Sequence, residues 1–96
     1  MIIEEIKAIG NMVNFQINKK LYIVQKACLK HALEEVVRWQ NYGGSNFTIK
    51  LLELISKADK YNKEKILKGF PEEVCAYLLW YYNSPFKREL LEDLYD

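Results

Sequence analysis

The amino-acid sequence predicts an all-α protein, a small bundle of four or five helices with a short extended segment near the N-terminus. Apolar residues recur at helical intervals through most of the chain, and the breaks between these stretches carry capping residues, glycine or proline. The chain has 96 residues, of which 50% are hydrophobic and 28% charged, so its length suits one modest core. We therefore expect a single helical domain that spans residues 1–96.

The first 18 residues predict a short helix followed by an extended lead-in. Four isoleucines within residues 2–9 stand at helix-like intervals, and Gly10 supplies a stop. Apolar and polar side chains alternate through Val13, Phe15 and Ile17 before Asn18-Lys19 and continue with Leu21 and Ile23 after it, a pattern that also suits a hairpin. Because Asn18-Lys19 lacks the glycine that a two-residue hairpin turn prefers, we favour an extended segment that leads into a helix capped at Asn18.

Capping signals predict the next two helices. A stripe of apolar residues indicates a long helix over residues 19–41, which the Gly43-Gly44 pair ends. Ser45 or Asn46 is then expected to cap a helix over residues 47–58, because either side chain accepts hydrogen bonds from free first-turn amides. These two helices should pack against each other.

Three shorter helices follow in the prediction. Asn62 is expected to cap a short helix that Gly69 closes. Pro71 opens an aromatic helix over residues 71–83, since the amide that proline lacks has no partner in a first turn. Ser84-Pro85 repeats this signal for a last helix that runs through Leu94. We expect the aromatic helix to pack against the long one.

The aromatic helix is apolar almost all round, so it is predicted to be buried on more than one side. It is either the central helix of the bundle alone or a central helix that also forms an interface. Angular positions place Val74, Tyr77, Leu78 and Tyr81 on the core face, with Trp80 nearly opposite and Tyr82 on the flank. Since tyrosine and tryptophan are enriched at interfaces, Trp80, Tyr81 and Tyr82 are the candidate partner-binding residues.

Charge is segregated along the chain, although the formal net charge is only +1. Residues 18–70 carry eleven Lys or Arg against five Asp or Glu, and residues 71–96 carry two against six. The acidic C-terminal segment is a candidate mimic of nucleic-acid charge in a partner's channel. Its residues are Glu89, Glu92, Asp93 and Asp96.

The lysine-rich stretch supports an alternative function as a nucleic-acid-binding regulator, because lysines neutralise phosphates. Its candidate residues are Lys57, Lys60, Lys63, Lys65 and Lys68. The following helix opens Pro-Glu-Glu-Val, which argues against a recognition helix that reads bases, and so against direct nucleic-acid binding. A homo-oligomer that holds a small ligand between aromatic helices is the other alternative.

Catalytic and metal-binding signals are weak. Cys28, His31 and Cys75 are scattered, whereas a structural zinc site needs four ligands with paired spacing. We therefore expect no metal, no cofactor and no enzymatic activity. The two cysteines should be buried, reduced thiols in a cytoplasmic protein, because no secretion signal or membrane-length apolar run is present.

One third of the chain resembles a known pattern. Residues 51–83 contain Ala58-Asp59, Asn62 and then Gly69-Phe70-Pro71-Glu72-Glu73-Val74 before Ala76-Tyr77, which is similar to small uncharacterised proteins of bacteriophages and other mobile elements. The resemblance implies a stoichiometric inhibitor that binds a bacterial defence component, a protein or ribonucleoprotein of the host cell. Anti-CRISPR proteins are one such group.

Overall fold

In the residues that the structure describes, the chain folds as three strands followed by five helices, an α+β architecture. The computed structural model describes residues 1–43 and 46–95, with the side chains of Tyr42 and of residues 92–95 outside that description. The elements are β1 (Ile3–Ile9), β2 (Met12–Ile17), β3 (Lys20–Gln25), α1 (Lys26–Tyr42), α2 (Phe47–Lys57), α3 (Lys60–Gly69), α4 (Pro71–Tyr81) and α5 (Pro85–Tyr95). The prediction of an all-α helical bundle is therefore wrong, because the first quarter of the chain forms a sheet.

The three strands form an antiparallel sheet in the order β1-β2-β3. On β2, Val13, Phe15 and Ile17 are completely buried, and Val24 of β3 joins them. Side chains alternate between the two faces of a strand, so these residues define the inner face of the sheet. That face packs against the helices, with β3 in contact with α1 and α4.

The predicted opening helix is instead the strand β1. A β-bulge in this strand produces the same spacing of apolar residues as a helix, which is why the prediction was wrong. Ile3 pairs with Ile17 and Ile6 pairs with Phe15, but the register shifts between Ile3 and Glu5. The extra residue of the bulge puts Ile3 and Ile6 on the same inner face although they are three residues apart. Both are partly buried against the core. An interval of three therefore arises here without a helix.

The predicted helix cap at Asn18 is instead a turn between β2 and β3. Asn18 and Lys19 have φ values of 53° and 65°, so both residues adopt the left-handed conformation of a type I′ hairpin turn without any glycine. The long helix consequently begins at Lys26 rather than at residue 19. The segment predicted as an extended lead-in, residues 11–18, contains β2.

The other helices lie close to their predicted positions. Asn46 caps α2 as expected, since its Oδ1 accepts a hydrogen bond from the amide of Ile49 at 2.9 Å. Asn62 does not cap α3; it donates its own amide to Asp59 Oδ1 at 2.8 Å, and Asp59 is the cap. Gly43 ends α1 with φ 70°, whereas Gly44 and Ser45 lie outside the described residues.

Helix α4 is the central helix of the fold. It packs against each of the other four helices and against β3. Its residues Val74–Leu79 are all buried, as a helix surrounded on several sides requires. The predicted packing of α1 against α2 and α4 is confirmed. None of the described helices has the length and apolar character needed to span a membrane.

Candidate functional site

An aromatic cluster forms where the last turn of α4 meets the end of α1. The ring of Trp39 from α1 lies 6.4 Å from Tyr77 and 5.9 Å from Trp80, between centroids. Tyr77 and Tyr81, one helical turn apart, stack at 5.8 Å with an interplanar angle of 19°. Tyr82 meets Tyr81 edge-on at 5.0 Å. We call Trp39, Trp80, Tyr81 and Tyr82 the aromatic surface.

The exposed fraction of the rings increases from the core side of the cluster to its solvent side. Tyr77 is 5% exposed, Trp39 and Trp80 are partly buried, and Tyr81 and Tyr82 are 60% and 49% exposed. The prediction that Tyr81 lies on the core face is wrong, because the core ends within the helical turn between Tyr77 and Tyr81. The exposed ring of Tyr81 therefore packs on the buried ring of Tyr77, and Tyr82 packs on Tyr81 in turn.

Hydrogen bonds fix the end of α4 that carries these rings. The hydroxyl of Tyr82 donates to the carbonyl oxygen of Met1 at 2.9 Å, which ties this end of the helix to the start of the sheet. The amide of Ser84 donates to the carbonyl of Leu79 at 2.9 Å. Asn83 between them has φ 51°, a left-handed residue that turns the chain away from the helix. The aromatic surface is thus built from segments far apart in sequence.

One of the predicted nucleic-acid-binding lysines adjoins the cluster. The ammonium group of Lys63 lies 5.7 Å from the ring centroid of Tyr77. Burial, followed by the neighbouring phenols of Tyr81 and Tyr82, raises the pKa of Tyr77, so its hydroxyl stays protonated. Lys63 is thus the one member of the predicted lysine set for which a contact with an aromatic ring of this cluster is described.

The other predicted lysines are distributed around α3 and the end of α2. Lys65 lies over the ring of Tyr61 at 4.5 Å, and Lys57, Lys60 and Lys68 are exposed. Lys57 and Lys65 line a common hollow of about 470 Å³ between α2 and α3. The five lysines thus do not form one group centred on the aromatic surface.

The predicted acidic site is described only in part. Glu89 lies on α5 and is exposed. Glu92 and Asp93 belong to the same helix, but their side chains lie outside the described residues, and so does Asp96 altogether.

A second concave site, not predicted from the sequence, lies between α1, α2 and α4. It has a volume of about 460 Å³, and its lining includes Cys28, His31, Thr48, Glu72 and Glu73. Burial, then the charge of Glu72, raises the pKa of Glu73, against the opposing effects of a backbone hydrogen bond and of His31. Glu73 Oε2 is inaccessible to solvent and has no hydrogen-bond partner.

The titratable side chains of this second site are not arranged as a metal site. Within residues 1–43 and 46–95, no group of three or more His, Cys, Asp or Glu side chains is arranged to hold a metal ion. Cys28 is exposed, contrary to the prediction of a buried thiol, with its Sγ 3.3 Å from Gln25 Oε1. Cys75 is buried, and burial raises its pKa far above the usual value, so the thiol stays protonated.

Comparison of the chain with protein-family models, with curated proteins and with solved structures finds no match. The aromatic surface presents the exposed rings of Tyr81 and Tyr82 beside the partly buried rings of Trp39 and Trp80.

Proposed function

We propose that this protein is a non-enzymatic binding protein that attaches to a macromolecular partner through the aromatic surface. The observation that carries this proposal is the contiguity of Trp39, Trp80, Tyr81 and Tyr82 above the buried ring of Tyr77. Tryptophan and tyrosine dominate the energetics of protein interfaces because they combine a large apolar area with one polar group. Rings already held by packing also lose little side-chain entropy on binding.

The partner proposed is a protein with an apolar groove. Single-stranded nucleic acid is the second candidate, since Lys63 beside Tyr77 supplies the cation that a base-stacking site needs. Consecutive bases stack on open ring faces, however, whereas Tyr81 already stacks on Tyr77 and meets Tyr82 at an interplanar angle of 86°. This geometry suits insertion into a groove better than base stacking.

The resemblance of residues 51–83 to bacteriophage and mobile-element proteins supplies the biological setting of the proposal. In that setting the partner is a bacterial defence component, a protein or ribonucleoprotein, and the binding protein acts in the cytoplasm of the host cell by blocking it. Anti-CRISPR proteins work in this manner as a group. The resemblance supports the class of partner, and the aromatic surface supports the mode of attachment.

Affinity capture from a bacterial lysate tests the proposal. Tyr81→Ala is expected to weaken capture by about 30-fold, the effect of a hot-spot loss near 2 kcal/mol. Tyr61→Ala is the matched control, because Tyr61 is a similarly exposed tyrosine on α3 whose ring contacts Lys65. Capture should persist as salt rises, since apolar contacts are weakly screened.

Two outcomes contradict this proposal. Equal capture by the wild type and Tyr81→Ala excludes the aromatic surface as the attachment point. Capture of RNA or DNA that is lost steeply between low and high salt supports the nucleic-acid candidate instead.

A further inference from the structure

The outer edge of β1 is open in the part of the chain that the structure describes. β1 pairs with β2 on one side only, and none of the described strands pairs with the other side. An edge strand presents unpaired N–H and C=O groups in the pattern that a further strand requires. The backbone of β1 is thus a template for an extended segment.

A groove runs along this open edge. Its volume is about 390 Å³, and it is lined by the five consecutive residues 2–6 of the N-terminal segment together with Tyr82 and Ser84. Consecutive side chains of a strand point to opposite faces, so a hollow lined by all of them lies along the edge rather than on one face. Since β2 occupies the inner edge, the groove lies at the outer edge, with the end of α4 as its far wall.

The walls of the groove define the chemistry of an occupant. Ile2 is 64% exposed, and Ile3 and Ile6 are partly buried, so apolar surface is available to an apolar side chain. The exposed carboxylates of Glu4 and Glu5 add negative charge, although the amide of Lys19 already donates to Glu4 Oε1. An extended peptide that alternates apolar and basic residues complements both features.

The groove is continuous with the aromatic surface through Tyr82. The hydroxyl of Tyr82 donates a hydrogen bond to the carbonyl oxygen of Met1 at 2.9 Å. The side chain of Tyr82 thus lines the groove and also belongs to the aromatic cluster. The bulge near Glu4 interrupts the regular edge, which limits the added strand to a few residues. A length of about 16 Å, five residues at about 3.3 Å each, is consistent with that limit.

We propose that the groove between β1 and Tyr82 binds a short extended peptide of the partner, which adds to the open edge of β1 as a fourth strand. The peptide carries apolar and basic side chains in alternation. This inference rests on the proposed function, because the peptide is taken to belong to the same partner that binds the aromatic surface.

The test uses the full chain labelled with ¹⁵N and the peptide acetyl-Val-Lys-Val-Lys-Val-amide. We expect its addition to shift the backbone amide signals of residues 2–6. A peptide of the same sequence with its alternate backbone nitrogens methylated should bind at least about tenfold more weakly, because it cannot complete the ladder. The acidic analogue acetyl-Val-Glu-Val-Glu-Val-amide should also bind more weakly.

Two exposed isoleucines of the N-terminal segment provide matched variants. Ile2→Lys places in the groove a positive charge that repels the lysines of the peptide, so it should reduce peptide affinity about tenfold. Ile9→Lys is the control and should leave the affinity unchanged, because Ile9 lies at the far end of β1 and outside the groove. Unshifted amides at residues 2–6, or equal binding of the methylated peptide, would overturn the inference. So would a protein that sediments as a dimer and whose amide signals at residues 2–6 shift with its own concentration, because its β1 edges then pair with each other.

The two proposals fail separately. Tyr81 does not line the groove, so Tyr81→Ala should lose lysate capture and still bind the peptide. If Tyr81→Ala abolishes capture while the peptide leaves β1 unchanged, the proposed function stands and the strand addition is refuted. If the peptide binds while Tyr81→Ala captures as the wild type does, the groove stands and the aromatic surface is refuted.

Discussion

At the scale of single residues, Glu73 is held where its charge is poorly solvated. Burial and the neighbouring charge of Glu72 raise its pKa above the usual 4.5, and one of its carboxylate oxygens lacks a partner. The folded protein therefore binds a proton at Glu73 more readily than the unfolded chain does. The stability linked to this proton is present below pH 4.5 and is lost as the pH rises through the raised value.

Glu73→Gln should remove this dependence. We expect the variant to be more stable than the wild type at pH 7, with the difference in unfolding free energy shrinking as the pH is lowered towards 4.5. Urea denaturation at both pH values measures it. Glu89→Gln, which removes an exposed carboxylate on α5, is the control. A difference between Glu73→Gln and the wild type that is the same at both pH values would contradict this account of Glu73.

At the scale of secondary-structure elements, local signals predicted the helices from α2 onward but not the sheet. Asn46 and Pro71 act at helix starts through their own chemistry, so their effect is readable from a few neighbouring residues. The strand β1 depends on pairing with β2, and its bulge gave Ile3 and Ile6 a helical interval. Pairing between strands is a non-local interaction, which periodicity in one segment does not report.

The turn between β2 and β3 shows a second limit of local signals and gives a prediction. Lys19 adopts φ 65°, a conformation that costs a non-glycine residue roughly 1–2 kcal/mol. Lys19→Gly should relieve that cost, while the greater conformational entropy that glycine loses on folding offsets part of the gain. The net effect should be a rise of about 0.5–1 kcal/mol in the free energy of unfolding. Urea denaturation measures the gain. Gln16→Gly, within β2, should destabilise the protein instead, and a destabilised Lys19→Gly would contradict the assigned turn.

At the scale of the whole molecule, the sheet and the helices meet at the aromatic surface. Tyr82 at the end of α4 bonds Met1 at the start of the chain, and Trp39 of α1 packs on Trp80 of α4. The sequence predicts Trp80, Tyr81 and Tyr82 as partner-binding residues. It could not identify Trp39, because that contact depends on how α1 and α4 pack, a relation between distant segments.

The central claim, that a partner covers the aromatic surface, is tested most directly by the chain's two tryptophans. Trp39 and Trp80 both lie in that surface, and the protein contains no others. In protein labelled with 5-fluorotryptophan, partner binding should shift both ¹⁹F signals and reduce their solvent isotope shifts between H₂O and D₂O. Trp39→Phe assigns the signals. Two unchanged signals in a complex whose formation is established by sedimentation would contradict the claim.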